Sequence, residues 1–222
     1  MKRFKSLVGK EKGKDFLIIG SGGSIREHET KIKNKYLTNG DYVTIGINKM
    51  TGICIPDYHL WTNKQRYRDL GQCISSKSKF LFGKGLPKDL IRKHYKGTYT
   101  VVDFIDKAGT HIDYRPSTGM IEGFFRTAGC LSIMIAHLLG AESISIIGMD
   151  GYTLYSRKEL KKMSKNHHCY GVGYTDNASW ETCVGKDKMV DSILRALSDY
   201  GIEFSIVTPT KFSDFYDNKL NI

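Results

Sequence analysis

Apolar residues along the chain collect in short continuous runs rather than in strict alternation. "FLIIG" (16–20), "YVTIGIN" (42–48), "YHLWT" (58–62), "FLFG" (80–83), "YTVVDFI" (99–105), "SISIIGMD" (143–150) and "EFSIVTP" (203–209) are each of strand length. A continuous, β-branched run is the pattern of a strand buried on both faces, as in a parallel sheet. Two longer stretches carry helical patterns. Residues 127–139, "TAGCLSIMIAHLL", are apolar nearly all round and stop at Gly140, where a C-cap glycine belongs, so this helix is expected to be buried. Residues 186–200, "KDKMVDSILRALSDY", place Val190, Ile193, Leu194 and Leu197 on one stripe, with Asp187, Lys188, Asp191 and Arg195 elsewhere and Gly201 at the end. Such an amphipathic helix belongs on the surface of a sheet.

Helix, strand, helix and strand over residues 127–208 make a β/α alternation, which right-handed crossovers wind into an open sheet with helices on both faces. The expected fold class is α/β. Residues 151–185 break the pattern, being polar, rich in Lys, Tyr, Gly and Asn, and without a period. A long irregular insertion of this kind in a compact domain is usually functional, so a lid over the site is expected there. A chain of 222 residues, 40% hydrophobic, has enough apolar material for one substantial core and is short for two, so residues 1–222 are expected to form a single domain.

No apolar segment approaches the roughly 20 residues that span a bilayer. The N-terminal stretch "MKRFKSLVGKEKGK" lacks the apolar core and cleavage site of a secretory signal, so a cytoplasmic, soluble protein is expected. The five cysteines, Cys54, Cys73, Cys130, Cys169 and Cys183, are odd in number and include no C-x-x-C pair, a pattern of reduced thiols rather than of a disulfide framework or structural zinc site. Adjacent His167, His168 and Cys169 diverge too much to make a tetrahedral metal site, and no metal is expected. The net charge of +11 points to an anionic partner: nucleic acid, an acidic glycan or an anionic surface.

In an open α/β sheet, ligands lie beyond the carboxyl ends of the strands. There the chain places "GSGGS", "GINK", "WTNK" and "GMDGY". The first loop, Gly20, Ser21, Gly22, Gly23 and Ser24, is suited to presenting backbone amides to a phosphate or ribose, with Gly22 and Gly23 permitting close approach. It matches neither G-x-G-x-x-G nor the P-loop, and a tight turn without a ligand also explains such a cluster. Asn48 and Asn63 recur at successive strand ends, each with a donor and an acceptor for a nucleotide. Asp150, Tyr152 and Tyr155 follow the late strand, and a phenol there can stabilise charge on a departing phosphate.

Taken together, "GSGGSI", "GINK", "RTAGCLSIMIAHLLGAESISIIGMDGY" and "NHHCYGVGYTDN" resemble, in order and spacing, the bacterial sialyltransferases of glycosyltransferase family 42. The resemblance extends to a wider group with motility-associated glycosyltransferase factors and a pterin diphosphokinase. It covers most of the chain. It implies a Rossmann-like nucleotide-sugar domain in which the first loop, Asn48, Asn63 and Asp150 hold the nucleotide. It further implies a turn of Thr127, Ala128 and Gly129 at a helix N-terminus, and Tyr152 with Tyr155 assisting the departing phosphate without a metal. The chain departs from the family at Ser21, at Gly23 in place of a Pro, and at Ala128 in place of a Ser. The general-base His of the family's "H-Y-I-G-H" lid falls on Val172, which leaves His168 as the first candidate base and Asp176 as the second.

The resulting expectation is a metal-independent glycosyltransferase with a nucleotide-sugar co-substrate and a polyanionic acceptor, either a glycan or DNA carrying a hydroxylated base; a homo-oligomer is compatible with it. The alternatives are an ATP-dependent, Mg²⁺-requiring diphosphokinase for a pterin-like alcohol and a nucleotide-binding module without catalysis.

Overall fold

The computed structural model describes residues 1–50, 52–107, 109, 111–161, 165–171 and 178–221. Its strands are β1 (Lys2–Arg3), β2 (Lys14–Ile19), β3 (Tyr42–Ile47), β4 (Tyr58–Trp61), β5 (Lys79–Gly83), β6 (Thr100–Asp106), β7 (Asp113–Arg115), β8 (Met120–Gly123), β9 (Ala141–Ile147) and β10 (Ser205–Ile206). Its α-helices are α1 (Ser24–Glu27), α2 (Glu29–Ile32), α3 (Lys64–Leu70), α4 (Lys88–His94), α5 (Ala128–Leu139), α6 (Arg157–Lys161) and α7 (Trp180–Asp199). Among the described residues the strands form one sheet in the order β10-β9-β2-β3-β4-β5-β6-β8-β7, with β1 joined to β6. Every pairing is parallel except β7 with β8. The fold is a mixed α/β, Rossmann-like sheet.

Side chains alternate across β2 and both sets are buried, which is why its run shows no polar alternation. Phe16 and Ile18 pack in the large core beneath α5 and α7, with Ile133, Ile193 and Leu197. Leu17 and Ile19 face the other way, against Ile25 and Ile32 of α1 and α2. A third cluster, Trp61, Tyr67, Phe80, Phe82, Leu86 and Ile91, seats α3 and α4 on β4 and β5.

Helix α5 is capped by Thr127, whose hydroxyl accepts from the Cys130 amide at 3.1 Å, and ends on Gly140 at φ 100. Its boundaries follow the sequence pattern closely. The expected helix 186–200 instead begins at Trp180, where Ser179 caps the Thr182 amide at 3.2 Å. Its first turns, "WETCVG", lack the apolar stripe that marks the rest. The irregular segment is shortened accordingly, and it contains α6, whose start is a reciprocal capping box. There the Ser156 amide donates to Glu159 Oε2 at 2.8 Å and the Glu159 amide donates to Ser156 Oγ at 3.3 Å. The run 203–209 yields only the two-residue edge strand β10, and the short strands β7 and β8 carry too few apolar residues to stand out. No helix among the described residues is long and apolar enough to cross a membrane.

The chain leaves β2 toward β3 on one side and leaves β9, through α7, toward β10 on the other. Neighbouring strands whose connections diverge in this way open a crevice at their carboxyl ends.

Candidate functional site

A cleft of about 420 Å³ occupies that crevice. Gly20, Ser21 and Gly22 after β2, Asn48 after β3, Asn63 after β4, and Asp150 with Tyr152 after β9 all line it. The N-terminal turn of α5, with Thr127, Ala128 and Gly129, forms one side, and His167 and His168 of the lid form another. Gly23, Ser24 and Tyr155 do not line it. Asp176 lies outside the described residues.

The loop after β2 differs from the expectation of a phosphate cradle. Three of its five amides are engaged within the protein: Gly20 donates to the Ile147 carbonyl at 2.8 Å, Gly22 to the Gly148 carbonyl at 2.9 Å, and Ser24 to Asp150 Oδ2 at 2.8 Å. Its glycines are required by protein atoms. A Cβ on Gly20 would meet the Gly148 carbonyl, one on Gly22 the Asp150 carboxylate, and one on Gly23 the Asn166 carbonyl. Helix α1 beyond the loop is a single turn, too short to offer an anion site of its own.

Asp150, 3% exposed, braces this loop from below, and it also accepts from Ser24 Oγ at 2.5 Å. Burial is the largest influence on its carboxyl, raising the pKa from 3.8 to about 7 against the opposing hydrogen bonds of Ser24. Between those values the folded protein holds a proton that the unfolded chain has released. The stabilisation is therefore complete below about pH 4 and is lost as pH rises through about 7. His59 acts in the opposite sense in the same window, because burial lowers its pKa from 6.5 to about 4 and its stabilisation is lost as pH falls. The Tm of the wild type relative to Asp150→Asn is therefore expected to decline as pH is raised from 4 to 7. A difference independent of pH would show that Asp150 does not titrate in this range.

Asn48 sits in a left-handed conformation, φ 52, that non-glycine residues adopt at a cost and that Asn tolerates best. It is 8% exposed, and its side-chain oxygen has no hydrogen-bond partner among the described residues. A buried acceptor left unpaired costs about 1–3 kcal/mol, so in a cleft it marks where a ligand donor belongs.

Positive potential comes from α5 and two arginines. The amides of Ala128 and Gly129 lie in the first turn of α5, where a helix leaves its N–H groups without intrahelical acceptors. Arg66, on α3, lines the cleft and donates from Nη1 to the Tyr170 hydroxyl at 3.1 Å. Arg126 also lines it, in a left-handed conformation at φ 41, with its amide donating to Asp106 Oδ1 at 3.2 Å. Neither arginine was singled out by a motif; Arg126 is betrayed only by standing directly before the "TAG" turn.

Tyr152 is set by a buried acid on α7. Asp187 accepts from the Tyr152 amide and the Thr153 hydroxyl, each at 2.6 Å, while Lys186 Nζ lies 5.0 Å from the Tyr152 ring centre. Among the described residues the Tyr152 hydroxyl has no hydrogen-bond partner. Burial raises its pKa and Arg66 opposes the rise, so the phenol is a neutral donor at physiological pH. Tyr155 is different. Its hydroxyl donates to Glu27 Oε1 at 2.8 Å, outside the cleft, so the two tyrosines are not brought together.

The lid lies along the loop after β2. His168 makes a β-bridge to Gly22, the Cys169 amide donates to the Ser21 carbonyl at 2.8 Å, and Arg26 Nε donates to the Cys169 carbonyl. The His168 ring, 7% exposed, stacks on Tyr170 at 4.9 Å. Glu27 takes Lys165 Nζ at 2.5 Å as well as Tyr155.

The charge is not focused on the cleft. Lys2, Arg3, Lys5, Lys10, Lys12 and Lys14 all precede or begin β2, at the amino edge of the sheet and away from the cleft. Much of the +11 is thus a solvated surface. No protein-family model matches the chain, and no curated protein matches it.

Proposed function

We propose that the protein is a glycosyltransferase that moves a sugar from a nucleotide-sugar donor to the hydroxyl of an acceptor, an anionic glycan or a hydroxylated DNA base. The observation that carries the reading is the pairing of Asn48, with its unpartnered buried oxygen, and the N-terminal turn of α5 in one cleft at the switch of the sheet. Asn48, on the cleft wall, is the polar side chain nearest to hand for a ribose or base. The first turn of α5, Arg66 and Arg126 offer charge-assisted donors to the phosphates. A cleft of about 420 Å³ is within the range of small-molecule sites.

In this reading the acceptor oxygen attacks the anomeric carbon as the bond from that carbon to the phosphate oxygen breaks. Tyr152 donates to the departing oxygen, and His168 takes the proton of the acceptor hydroxyl. Asp150 and Ser24 hold the loop rather than touch the nucleotide, and Tyr155 secures the lid to α1 through Glu27.

A thermal-shift screen of CMP, UMP, UDP, GDP and ATP tests the reading. A nucleotide present at 100 times its Kd adds about 2.7 kcal/mol to the folded state, a rise of roughly 5–10 °C for a chain of this size. Arg126→Ala is expected to weaken that nucleotide at least about tenfold, the scale of one charge-assisted hydrogen bond. No shift with any of the five at millimolar concentration would overturn the reading, and activity abolished by EDTA would favour diphosphate transfer instead.

A further inference from the structure

Asn48 lines the cleft in a left-handed conformation, and its carbonyl is bonded to the ring of His59. His59 lies mid-strand in β4, 4% exposed, between the rings of Trp61 (centroids 5.2 Å apart) and Phe80 (5.7 Å). Its Nε2 stands 2.6 Å from the Asn48 carbonyl. A carbonyl only accepts, so Nε2 carries the hydrogen and Nδ1 is the bare nitrogen. Nδ1 has no partner among the described residues. The ring is thus a single-purpose donor, buried at the cost of one unsatisfied nitrogen.

We infer that His59 is a positioning residue of the nucleotide site, its Nε2–H holding the Asn48 carbonyl so that Asn48 stays left-handed on the wall of the cleft. The backbone on either side is fixed by the ladder: the Asn48 amide donates to the Leu60 carbonyl at 3.1 Å, so both Asn48 backbone groups are tied to β4. Without the His59 bond the carbonyl is left buried and unpaired. The peptide then gains by rotating toward an ordinary conformation, which swings the side-chain amide away from the ligand. His59 stays neutral from pH 5 upward, because burial lowers its pKa to about 4, so the clamp holds throughout the physiological range.

The role in ligand binding rests on the nucleotide reading above, whereas the clamp itself does not, and the test separates them. His59→Phe keeps a ring between Trp61 and Phe80 and removes the donor; His59→Gln places an amide nitrogen near the position of Nε2. A crystal structure of His59→Phe is expected to show Asn48 outside the left-handed region, and His59→Gln to retain it. Whichever nucleotide of the five gives the largest thermal shift is expected to bind His59→Phe about three- to tenfold more weakly, the scale of one neutral hydrogen bond, and His59→Gln within about twofold of wild type. In an Asn48→Ala background, His59→Phe should cost nothing further, since the two act as one unit.

Asn48 still left-handed in His59→Phe, additive losses in the double variant, or equal losses in Gln and Phe would each overturn the inference. If no nucleotide binds the wild type, the functional reading fails and the Asn48 conformation alone decides the clamp. If His59→Phe does not fold, the binding and conformation of His59→Gln decide it.

Discussion

Gly20→Ala is expected to destabilise the protein by more than about 3 kcal/mol, the upper range of overpacking in a filled core. The new Cβ would meet the Gly148 carbonyl oxygen, with the Gly148 carbonyl carbon at 2.9 Å and the Ile147 carbonyl oxygen at 3.1 Å. All three are backbone atoms of the adjacent strand end. They cannot move aside as a flexible side chain could, because the Gly20 amide bonds to that same Ile147 carbonyl at 2.8 Å. Relief requires parting β2 from β9, an extensive parallel pairing inside the sheet. Gly85→Ala is the control, since nothing lies within 4 Å of its added Cβ, and it should stay within about 0.5 kcal/mol of wild type. Chemical denaturation of both variants decides the matter. Equal stability of the two would mean that β2 and β9 separate easily at their carboxyl ends, contrary to the packing described above.

Under the proposed sugar transfer, Tyr152→Phe is expected to lower turnover about 10²- to 10³-fold while leaving nucleotide affinity within about threefold, the pattern of a donor lost from the transition state. The Tyr152 ring is held through its backbone by Asp187, which accepts from the Tyr152 amide at 2.6 Å, so removing one hydroxyl leaves the fold and the cleft in place. Tyr155→Phe should behave otherwise. Its hydroxyl is bonded to Glu27, and its loss should loosen the lid with at most a few-fold effect on turnover. Donor hydrolysis measured without acceptor separates the two variants. Equal losses would mean that neither phenol meets the departing phosphate.

How far the sequence could be read depended on how local each signal was. The inner strands β2, β3, β4, β5 and β9 were legible because their burial leaves an unbroken apolar run, and α5 was legible because both its caps are in the sequence. The start of α7 was hidden, since its first turns are polar and held by the Ser179 cap rather than by an apolar stripe. The glycines after β2 announced a constraint but not its source, which is the second crossover strand arriving from about 130 residues later, with Gly148 and Asp150. Ile147, Gly148 and Asp150 take up the amides of Gly20, Gly22 and Ser24. Asn48 and Tyr152 line the cleft, where their positions at strand ends put them. Tyr155 was not, because residue spacing in an irregular segment carries no direction. Arg66, Arg126 and His59 belong to no motif, and a histidine within "YHLW" reads as one more strand residue until the neighbouring strand is known.

The cleft has two halves of different construction. One stands on the N-terminal turn of α5, whose body packs under β2, β3, β4 and β9, so its atoms are as fixed as the core itself. The other is the lid, joined to the body through a β-bridge, two carbonyls and the shared carboxylate of Glu27. The second half is anchored too, since Cys169 is fully buried in the cluster of Leu17, Ile19 and Ile147 with Tyr170 packed against it. Under the proposed function, the partly exposed residues of 165–171 around that buried anchor are the ones to vary when the acceptor is to be changed, because the α5 side of the cleft is built into the core.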